Sequence, residues 1–286
     1  WAIYTHQDRG PSLRLILLHC GNINDFDQMR NLSPHRQGEP MVPLETTARL
    51  EMRKRAQELT ARHEGLRAEQ VLKEVIRRDF PGRIGLVSSF GAEAAVLLHM
   101  VARIDPYVPV IFLNTWKHFP ETLDYRDRLI ADLGLCNIQT VLPRPDSLRA
   151  EDPDGTLYVR NADLCCHVRK TLPMIKALRG LDCWITGRKR GQAVTRSDME
   201  LFETQDRWIK VNPLFDWTLD DVAAYFAAHS LPEHPLKARG YPSIGCAPCT
   251  RAVRPGEDAR SGRWADSDKT ECGIHFENGK IVRGPV

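Results

Sequence analysis

Short apolar segments alternate with helical segments through the middle of this 286-residue chain. Three of the apolar segments, 84–88, 108–113 and 138–142, have the length and composition of buried strands. The segments between them, 92–103 and 120–133, have the length and the apolar spacing of helices. Strands that alternate with helices form a parallel sheet that is covered on both faces. The sequence therefore predicts an α/β fold with a doubly wound, mainly parallel sheet.

Further segments extend this pattern in both directions. Two amphipathic helices are predicted at 44–64 and 66–79, where apolar residues recur at helical spacing among many charged residues. After the central strands, we predict two more strands at 183–186 and 208–211 and a helix at 218–229. These segments are enough for one sizeable α/β domain.

The two ends of the chain differ from this central part. Residues 1–43 lack clear periodicity and carry turn formers, so we expect a poorly ordered N-terminal extension. We divide the rest into a ligand-binding domain at 44–250 and a C-terminal tail at 251–286. No segment has the length of a bilayer-spanning helix and no N-terminal stretch has the pattern of a signal peptide, which predicts a cytoplasmic protein. A net charge of +3 does not indicate a nucleic-acid partner.

Four of the eight cysteines occur in two pairs, the adjacent Cys165 and Cys166 and the spaced Cys246 and Cys249. Thiolates select zinc, copper(I) or iron-sulfur clusters, and two pairs supply enough ligands for a tetrahedral zinc site or a 4Fe-4S cluster. Adjacent cysteines favour the cluster, because zinc sites usually take each pair of ligands from a knuckle with intervening residues. Zinc, a redox disulfide and unliganded thiols remain alternatives.

The remaining cysteines are single. Cys272 lies between Lys269 and His275, and neighbouring positive charge favours a reactive thiolate. We predict that Cys272 is a nucleophile, with a free tail thiol as the alternative. The others lie in apolar or strand-like contexts that suit small buried side chains: Cys20, Cys136 and Cys183.

The segment Ser88-Ser-Phe-Gly-Ala-Glu93 joins the first predicted strand to its helix. Ligands of doubly wound sheets bind at the carboxyl ends of the strands. Small residues there let backbone N–H groups approach an anion, and the helix N-terminus adds partial positive charge. The loop therefore predicts a phosphate or sulfate site, although a plain tight turn has the same composition.

A series of motifs, in the same order, resembles the assimilatory adenylylsulfate and phosphoadenylylsulfate reductases. The motifs are the loop at 88–93, Phe119-Pro-Glu-Thr122, Cys165-Cys166 with Arg169-Lys170, Thr186-Gly187-Arg188, Asn212-Pro213-Leu214, Gly245-Cys246-Ala-Pro-Cys249-Thr-Arg251, Gly262-Arg263-Trp264 and Lys269-Thr-Glu-Cys-Gly-Ile-His275. The last motif is typical of the reductases. The two cysteine pairs are typical of the cluster-containing branch, which usually prefers adenosine 5'-phosphosulfate over its 3'-phosphorylated relative.

The resemblance implies a fold, a cofactor and a reaction. The fold is a sheet of the adenine nucleotide alpha hydrolase (ATP pyrophosphatase-like) type with a flexible C-terminal catalytic tail, and the cofactor is a 4Fe-4S cluster on the paired cysteines. The reaction is the thioredoxin-dependent reduction of adenosine 5'-phosphosulfate to sulfite and AMP, in sulfate assimilation and cysteine biosynthesis. Cys272 attacks the sulfur to form S-sulfocysteine, from which thioredoxin or a glutaredoxin-like thiol donor releases sulfite. A homo-oligomer is left open.

The resemblance also implies the residues that contact the substrate. Leu113 and Gly187 touch the adenosine through their backbone, and Lys170 bridges the cluster and the sulfate. Arginine suits oxyanions because its planar fork binds them bidentately. The full predicted set is Ser88, Gly91, Leu113, Lys170, Gly187, Arg196, Arg260, Arg263 and His275.

The sequence departs from the family pattern at two places. Phe90 replaces a serine of many relatives, which predicts the loss of one hydroxyl contact to the substrate. Asn114 and Trp116 replace an aspartate and a glycine beside the nucleotide pocket, where Trp116 stacks on adenine or merely fills space, and His118 is a candidate partner for phosphate.

Other activities remain as alternatives. A reductase of the 3'-phosphorylated substrate fits the same motifs. An ATP pyrophosphatase-type enzyme shares the strand, loop and helix but has little use for the Glu-Cys-Gly-Ile-His motif. A non-catalytic iron-sulfur or zinc module explains the paired cysteines alone.

Overall fold

A six-stranded sheet forms the centre of the part of the chain that the computed structural model describes, which is residues 47–265, 269, 271–272, 274–277 and 280–281. The predicted extension at 1–43 lies outside the described residues. The strands are β1 Ile84–Val87, β2 Val110–Leu113, β3 Ile138–Val141, β4 Cys183–Ile185, β5 Phe202–Gln205 and β6 Trp208–Val211. Their order is β3-β2-β1-β4-β6-β5, and β5 alone pairs antiparallel in this sheet. The α/β prediction is confirmed.

Helices lie between most of these strands. They are α1 Thr47–Arg62, α2 Ala68–Glu74, α3 Ala94–Ile104, α4 Pro120–Leu133, α5 Pro145–Glu151, α6 Leu157–Arg160, α7 Ala162–Cys166, α8 Leu172–Ala177 and α9 Leu219–Ala228. A π-helical turn, Val75–Asp79, continues α2. Near the C-terminus, β7 Phe276–Glu277 and β8 Lys280–Ile281 form a separate antiparallel hairpin. None of the helices in the described residues is both long and apolar enough to cross a membrane.

The strand order reverses between β1 and β4. From β1 the chain moves outward through β2 to β3, and then returns to place β4 on the opposite side of β1. Such a reversal leaves a crevice at the carboxyl ends of the strands, because the connection after β1 leads toward β2 on one side and the connection after β4 leads toward β5 and β6 on the other. The loops that follow β1, β2 and β4 therefore meet at one edge of the sheet.

Both faces of the sheet are covered. Along β1, Leu86 belongs to the core under α1, α2, α3 and α9, whereas the next residue, Val87, packs on the opposite face. There Trp184 of β4 contacts Met174 and Leu178, which come from the region of α8. Successive strand residues point to opposite faces, so a strand buried on both sides must be apolar throughout. This explains why the central strands have continuous apolar sequences.

Helix α7 continues into α8 through a π-helical turn, His167–Thr171. The helix begins at Asn161, whose side-chain oxygen accepts a hydrogen bond from the backbone N–H of Leu164 at 2.9 Å. Pro173 lies near its continuation and has no N–H to donate to an α-helical partner four residues earlier. π-Helical turns of this kind frequently occur at functional sites.

Candidate active site and thiolate pocket

A cavity of about 700 Å³ opens at the carboxyl ends of β1 and β4. The loops after β1, β2 and β4 line it, together with α9 and described residues of the C-terminal segment. Every predicted substrate residue and the predicted nucleophile line this cavity: Ser88, Gly91, Leu113, Lys170, Gly187, Arg196, Arg260, Arg263, His275 and Cys272. The topology thus brings together residues that lie far apart in the sequence.

The loop after β1 has a tight turn at its centre. The hydroxyl of Ser88 accepts a hydrogen bond from the N–H of Phe90 at 3.2 Å, and Phe90 adopts a φ of +50°. The Phe90 ring is fully buried and forms an edge-to-face contact with Phe112, with 5.6 Å between the ring centroids. It does not line the cavity. A side chain on Gly91 would lie 3.3 Å from the carbonyl oxygen of Ile244, so the loop is packed closely here. Phe90 therefore contributes to the core.

The segment after β2 contains the departures from the family pattern. Trp116 has a φ of +58°, is 54% exposed and does not line the cavity, and its N–H donates to the Asn114 side chain at 3.0 Å. His118 does line the cavity, and its Nε2 donates to the carbonyl oxygen of Leu113 at 3.0 Å. Burial lowers the pKa of His118 to about 4, so the ring is neutral near pH 7. A neutral imidazole is a hydrogen-bonding group rather than a cationic partner for phosphate.

Arg196 forms a buried, bidentate ion pair with Glu271. Its Nε and Nη2 donate to the two carboxylate oxygens at 2.7 and 2.9 Å, and its Nη1 donates to Gln192 at 2.5 Å. Arg260 lies 3.8 Å from the same carboxylate. Burial by itself would raise the pKa of Glu271, but the hydrogen bonds and charge of Arg196 hold it below its usual value. The sequence did not single out Glu271, whose partner lies 75 residues away.

A second set of charges supports the loop after β4. Lys189 donates to Glu93 at 2.5 Å and is almost fully buried. Nearby, Glu203 accepts hydrogen bonds from Asn212 at 2.7 Å and from Lys210 at 2.9 Å. The Lys189–Glu93 pair holds the loop after β4 against the start of α3, whereas the Glu203 contacts join β5 to β6 and to the residue that follows β6. Lys189 and Glu93 lie 96 residues apart, so sequence spacing gave no signal for their pairing.

His275 is buried against the sheet. Its ring stacks on Trp184 with 6.2 Å between the centroids, and the carbonyl oxygen of the preceding Ile274 accepts from the Gln205 side chain at 3.1 Å. Burial and the nearby cations, among them Arg188, hold the pKa of His275 well below its usual value. His275 is thus a neutral side chain at the cavity wall.

The paired cysteines meet in a second, smaller pocket beside the cavity. Its lining includes Cys165 and Cys166 from α7 and Cys246 and Cys249 from a short 3-10 turn. The segment of Cys246 pairs with that of His118 in an isolated bridge. The two pockets share walls: Lys170, Arg263 and Trp264.

Burial disfavours the charged thiolate form of most cysteines in this pocket. Burial, followed by the neighbouring thiols, raises the pKa of Cys165 to about 12 and that of Cys249 to about 11. Burial also opposes ionisation of Cys246, but Lys170 and a 3.3 Å hydrogen bond with Thr115 lower its pKa. Lys170 interacts with Cys246, Cys272 and Cys166, and these sulfurs raise its pKa although burial lowers it. Lys170 therefore interacts electrostatically with both the pocket cysteines and the predicted nucleophile.

A buried ion pair supports the pocket from behind. Asp152 accepts from Arg169 at 3.0 and 2.5 Å, and Arg169 donates to the carbonyl oxygen of Thr115 at 2.8 Å. Thr115 in turn contacts Cys246, as described above. The pair of Asp152 and Arg169 thus fixes the position of Thr115, which contacts the Cys246 thiol.

The four thiols of this pocket have the donor chemistry that a zinc ion or an iron-sulfur cluster takes. Within the described ranges, no three His, Cys, Asp or Glu side chains are arranged to hold a metal ion. A four-iron cubane takes one thiolate at each of its irons, so four thiols match its ligand count. Thiolates that repel one another are also stabilised by iron, which is positively charged.

Comparison with known proteins points to one family. Residues 83–252 match the phosphoadenosine phosphosulfate reductase domain. The chain is 52% identical over 218 residues to the adenosine 5'-phosphosulfate reductase of Mesorhizobium japonicum, a match that covers 76% of this chain and 86% of that protein. It is 39% identical over 222 residues to the phosphoadenosine 5'-phosphosulfate reductase of Gloeobacter violaceus, covering 76% and 92%.

A solved structure supports the same comparison. The phosphoadenylyl-sulfate reductase of Candida auris, in its phosphate complex, superposes with a TM-score of 0.60 at 26% identity. The superposition covers 70% of this chain and 97% of that one.

Proposed function

The chain belongs to the phosphoadenosine phosphosulfate reductase family, and on that basis we propose that it reduces adenosine 5'-phosphosulfate to sulfite and AMP in sulfate assimilation. The observation that carries the proposal is the convergence of Cys272, the loop after β1 and three arginines on one cavity. Relatives at 52% identity are named for this substrate. The enzyme is thus an oxidoreductase acting on sulfur.

The cavity offers distinct groups to the two halves of the substrate. The carboxyl ends of β2 and β4, at Leu113 and Gly187, provide backbone groups for the adenosine. The phosphosulfate would be bound by Ser88, by the N–H groups near Gly91 and by the guanidinium of Arg263, all of which line the cavity. Fixed donors of this kind stabilise charge that develops on the phosphate as it leaves.

Cys272 is the proposed nucleophile. Its thiolate forms a bond to the sulfate sulfur while the bond from that sulfur to the phosphate oxygen breaks, and AMP leaves with the electron pair. A thiolate of a dithiol donor then attacks the Cys272 sulfur and displaces sulfite, which carries away two electrons. The second thiol of the donor resolves the mixed disulfide, so that Cys272 is regenerated and the donor is oxidised. We propose thioredoxin or a glutaredoxin-like protein as this donor.

We propose that Cys165, Cys166, Cys246 and Cys249 hold a 4Fe-4S cluster. The thiol pocket and its shared wall with the cavity support this proposal. When bound, the cluster would supply fixed charge beside the phosphosulfate. The Lys170 ammonium interacts with the sulfurs on the pocket side and with Cys272, so it links the two sites electrostatically. Iron and acid-labile sulfide in anaerobically purified protein test the cofactor, and stoichiometric zinc would contradict it.

Sulfite release tests the reaction. Anaerobically purified protein with thioredoxin is assayed at limiting adenosine 5'-phosphosulfate, and we expect turnover that the Cys272→Ser variant lacks. The absence of sulfite from either sulfonucleotide would overturn the proposal.

The second candidate is reduction of the 3'-phosphorylated substrate, since a relative at 39% identity is named for it. The same assay with both sulfonucleotides separates the two candidates. A preference for the 3'-phosphorylated form would keep the chemistry and replace the substrate. The cytoplasmic location and the homo-oligomer remain predictions.

A further inference from the structure

Two ion pairs attach the segment that carries Cys272 to two different elements of the fold. Lys269 contacts the carboxylate of Asp163 in α7, the helix that also carries Cys165 and Cys166. Glu271 pairs with Arg196, which follows the loop after β4. The two contacts use opposite charges, because the segment contributes a cation to one pair and a carboxylate to the other.

Three of the four charged side chains are protected from solvent. Those of Lys269 and Arg196 are 6% exposed and that of Glu271 is 9% exposed, whereas that of Asp163 is 32% exposed. Exposed ion pairs contribute little to stability, whereas breaking a buried pair is costly because it leaves a buried charge uncompensated. The Glu271 pair is therefore the stronger attachment of the segment, and the buried Lys269 ammonium provides the second.

The Glu271 pair also determines what Arg196 can do. The Nε and Nη2 edge of Arg196 is the edge that binds an oxyanion bidentately, and both of its atoms donate to Glu271. Its Nη1 donates to Gln192. While Glu271 is in place, this edge of Arg196 is occupied by the protein itself.

The position of Cys272 follows from these contacts. Consecutive Cα atoms are about 3.8 Å apart, so the Glu271 pair restricts Cys272 to a small volume at the cavity wall. A nucleophile reacts efficiently only when it is held close to the reacting atom. We propose that Lys269 and Glu271 are positioning residues that form a two-sided clamp on this segment, and that Arg196 anchors the segment rather than the phosphosulfate. The role of Cys272 in this proposal rests on the proposed function.

The accessibility of Cys272 tests the clamp without substrate. The holoprotein is treated with iodoacetamide, and the modification of each cysteine is followed by peptide mass spectrometry. We expect Lys269→Gln and Glu271→Gln each to increase the rate at Cys272 by about tenfold, because each opens the clamp. Cys136, which the sequence predicted to be a small buried side chain, is exposed and serves as an internal reference. Glu58→Gln is the matched control, because Glu58 forms an exposed pair with Lys54 on α1.

The two variants separate opening of the clamp from a direct effect of charge. Loss of the Glu271 charge favours a nearby thiolate, whereas loss of the Lys269 charge disfavours it. Charge alone would therefore change the two alkylation rates in opposite directions. An increase in both supports the clamp. Opposite changes, or rates equal to those of the wild type, would overturn it.

Catalysis provides the second measurement. In a single turnover at saturating adenosine 5'-phosphosulfate, we expect AMP release to slow by at least about tenfold in both variants, because the thiolate is less often in position. The alternative is that Glu271 occupies the substrate's place on Arg196; Glu271→Gln would then bind substrate more tightly and transfer sulfur at the wild-type rate. That result would overturn the clamp. A wild type without turnover would contradict the proposed function, while the alkylation measurement would still test the clamp.

Discussion

Phe90 shows how a residue inside a ligand-binding loop can serve the core. Its ring is fully buried against Phe112, while its backbone forms the turn after β1. We expect Phe90→Ser to lower the free energy of unfolding by about 3 kcal/mol or more, because a buried aromatic side chain is removed and a hydroxyl is buried in its place. Thermal unfolding of the holoprotein measures the change.

The control for Phe90→Ser is Tyr107→Ser, since Tyr107 is 70% exposed. That control is expected to change stability by about 0.5 kcal/mol at most. A Phe90→Ser protein with wild-type stability and a lower KM would instead mean that the serine hydroxyl reaches the substrate.

Gly245 is required at its position by a neighbouring arginine. A Cβ atom there would lie 2.1 Å from Nη2 and 2.4 Å from Cζ of Arg263, whose guanidinium also lies 4.4 Å from the centre of the Trp264 ring. We expect Gly245→Ala to displace the guanidinium from the cavity wall and to raise KM by about tenfold, with a smaller effect on kcat. Steady-state kinetics and the iron content of the purified variant are the measurements.

A double-variant cycle tests this reason for the glycine. If the added methyl group acts through Arg263, then Gly245→Ala has no further effect on KM in an Arg263→Ala background. Additive effects of the two substitutions would show that Gly245 acts on the site in another way.

At the residue scale, the sequence predicted the cavity-lining residues better than their partners. The Glu-Cys-Gly-Ile-His motif located Cys272, and the family resemblance implied Arg196 as a substrate contact. Glu271 lies within one of those motifs, but its function depends on a contact with Arg196 that only the folded chain creates. The same holds for Phe90, because the residue type alone does not reveal whether the ring points into the cavity or into the core.

At the element scale, the buried pair of Asp152 and Arg169 links the end of α5 to the π-helical turn that follows α7. Asp152 follows α5 directly and also accepts a hydrogen bond from the N–H of Leu157 at 2.8 Å. We expect Asp152→Ala to destabilise the protein by about 3–5 kcal/mol, because it leaves the Arg169 charge buried without its partner. Arg169 contacts Thr115, which contacts Cys246, so we also expect less iron per chain.

Thermal unfolding and iron analysis check the Asp152 prediction. The control is Asp146→Ala, which removes an exposed ion pair with Arg149 on α5 and is expected to cost less than about 1 kcal/mol. Equal losses of stability in Asp152→Ala and Asp146→Ala would contradict the claim that burial makes the Asp152 ion pair important.

Elements with strong periodicity were predicted, and short ones were not. The central strands and α3, α4 and α9 match the sequence expectations within a few residues. The helices between 145 and 177 were missed for two reasons. α5 and α6 have too few residues to establish an apolar period, and the continuous stretch from α7 to α8 contains a π-helical turn that departs from the α-helical period. β5 was missed because its two-residue turn to β6 lacks glycine and instead places Asp206 at a φ of +51°.

At the scale of the whole molecule, the order of the strands determines the site. Sequence alternation predicted a doubly wound sheet, and such a sheet has its crevice where the strand order reverses. The C-terminal segment contacts this crevice through charged and aromatic contacts, and none of these is visible as a pattern along the chain. The cavity was therefore predictable from the sequence, whereas the way the chain closes over it was not.

The stability of the whole molecule is expected to fall as the pH decreases from 6.5 to 4. His234 is buried; its Nδ1 accepts from the N–H of Leu236 at 3.1 Å, and its Nε2 lies 3.0 Å from the Thr122 hydroxyl of α4. Burial lowers the pKa of His234 from 6.5 to about 4. Between these values the unfolded chain binds a proton that the native ring does not, so stability is complete above pH 6.5 and is lost toward pH 4, by roughly 2–3 kcal/mol.

Unfolding of the wild type and of His234→Asn between pH 7 and pH 4.5 measures this contribution. Asparagine offers an oxygen to the Leu236 N–H and does not titrate, so the variant is expected to be less stable at neutral pH but to lose less stability on acidification. The two curves should therefore converge as the pH falls. Parallel curves would mean that the acid sensitivity comes from other groups, of which His118, with a pKa also lowered to about 4, is the next to substitute. Convergence would show that one buried ring, which joins α4 to the segment after α9, sets much of the acid limit of the fold.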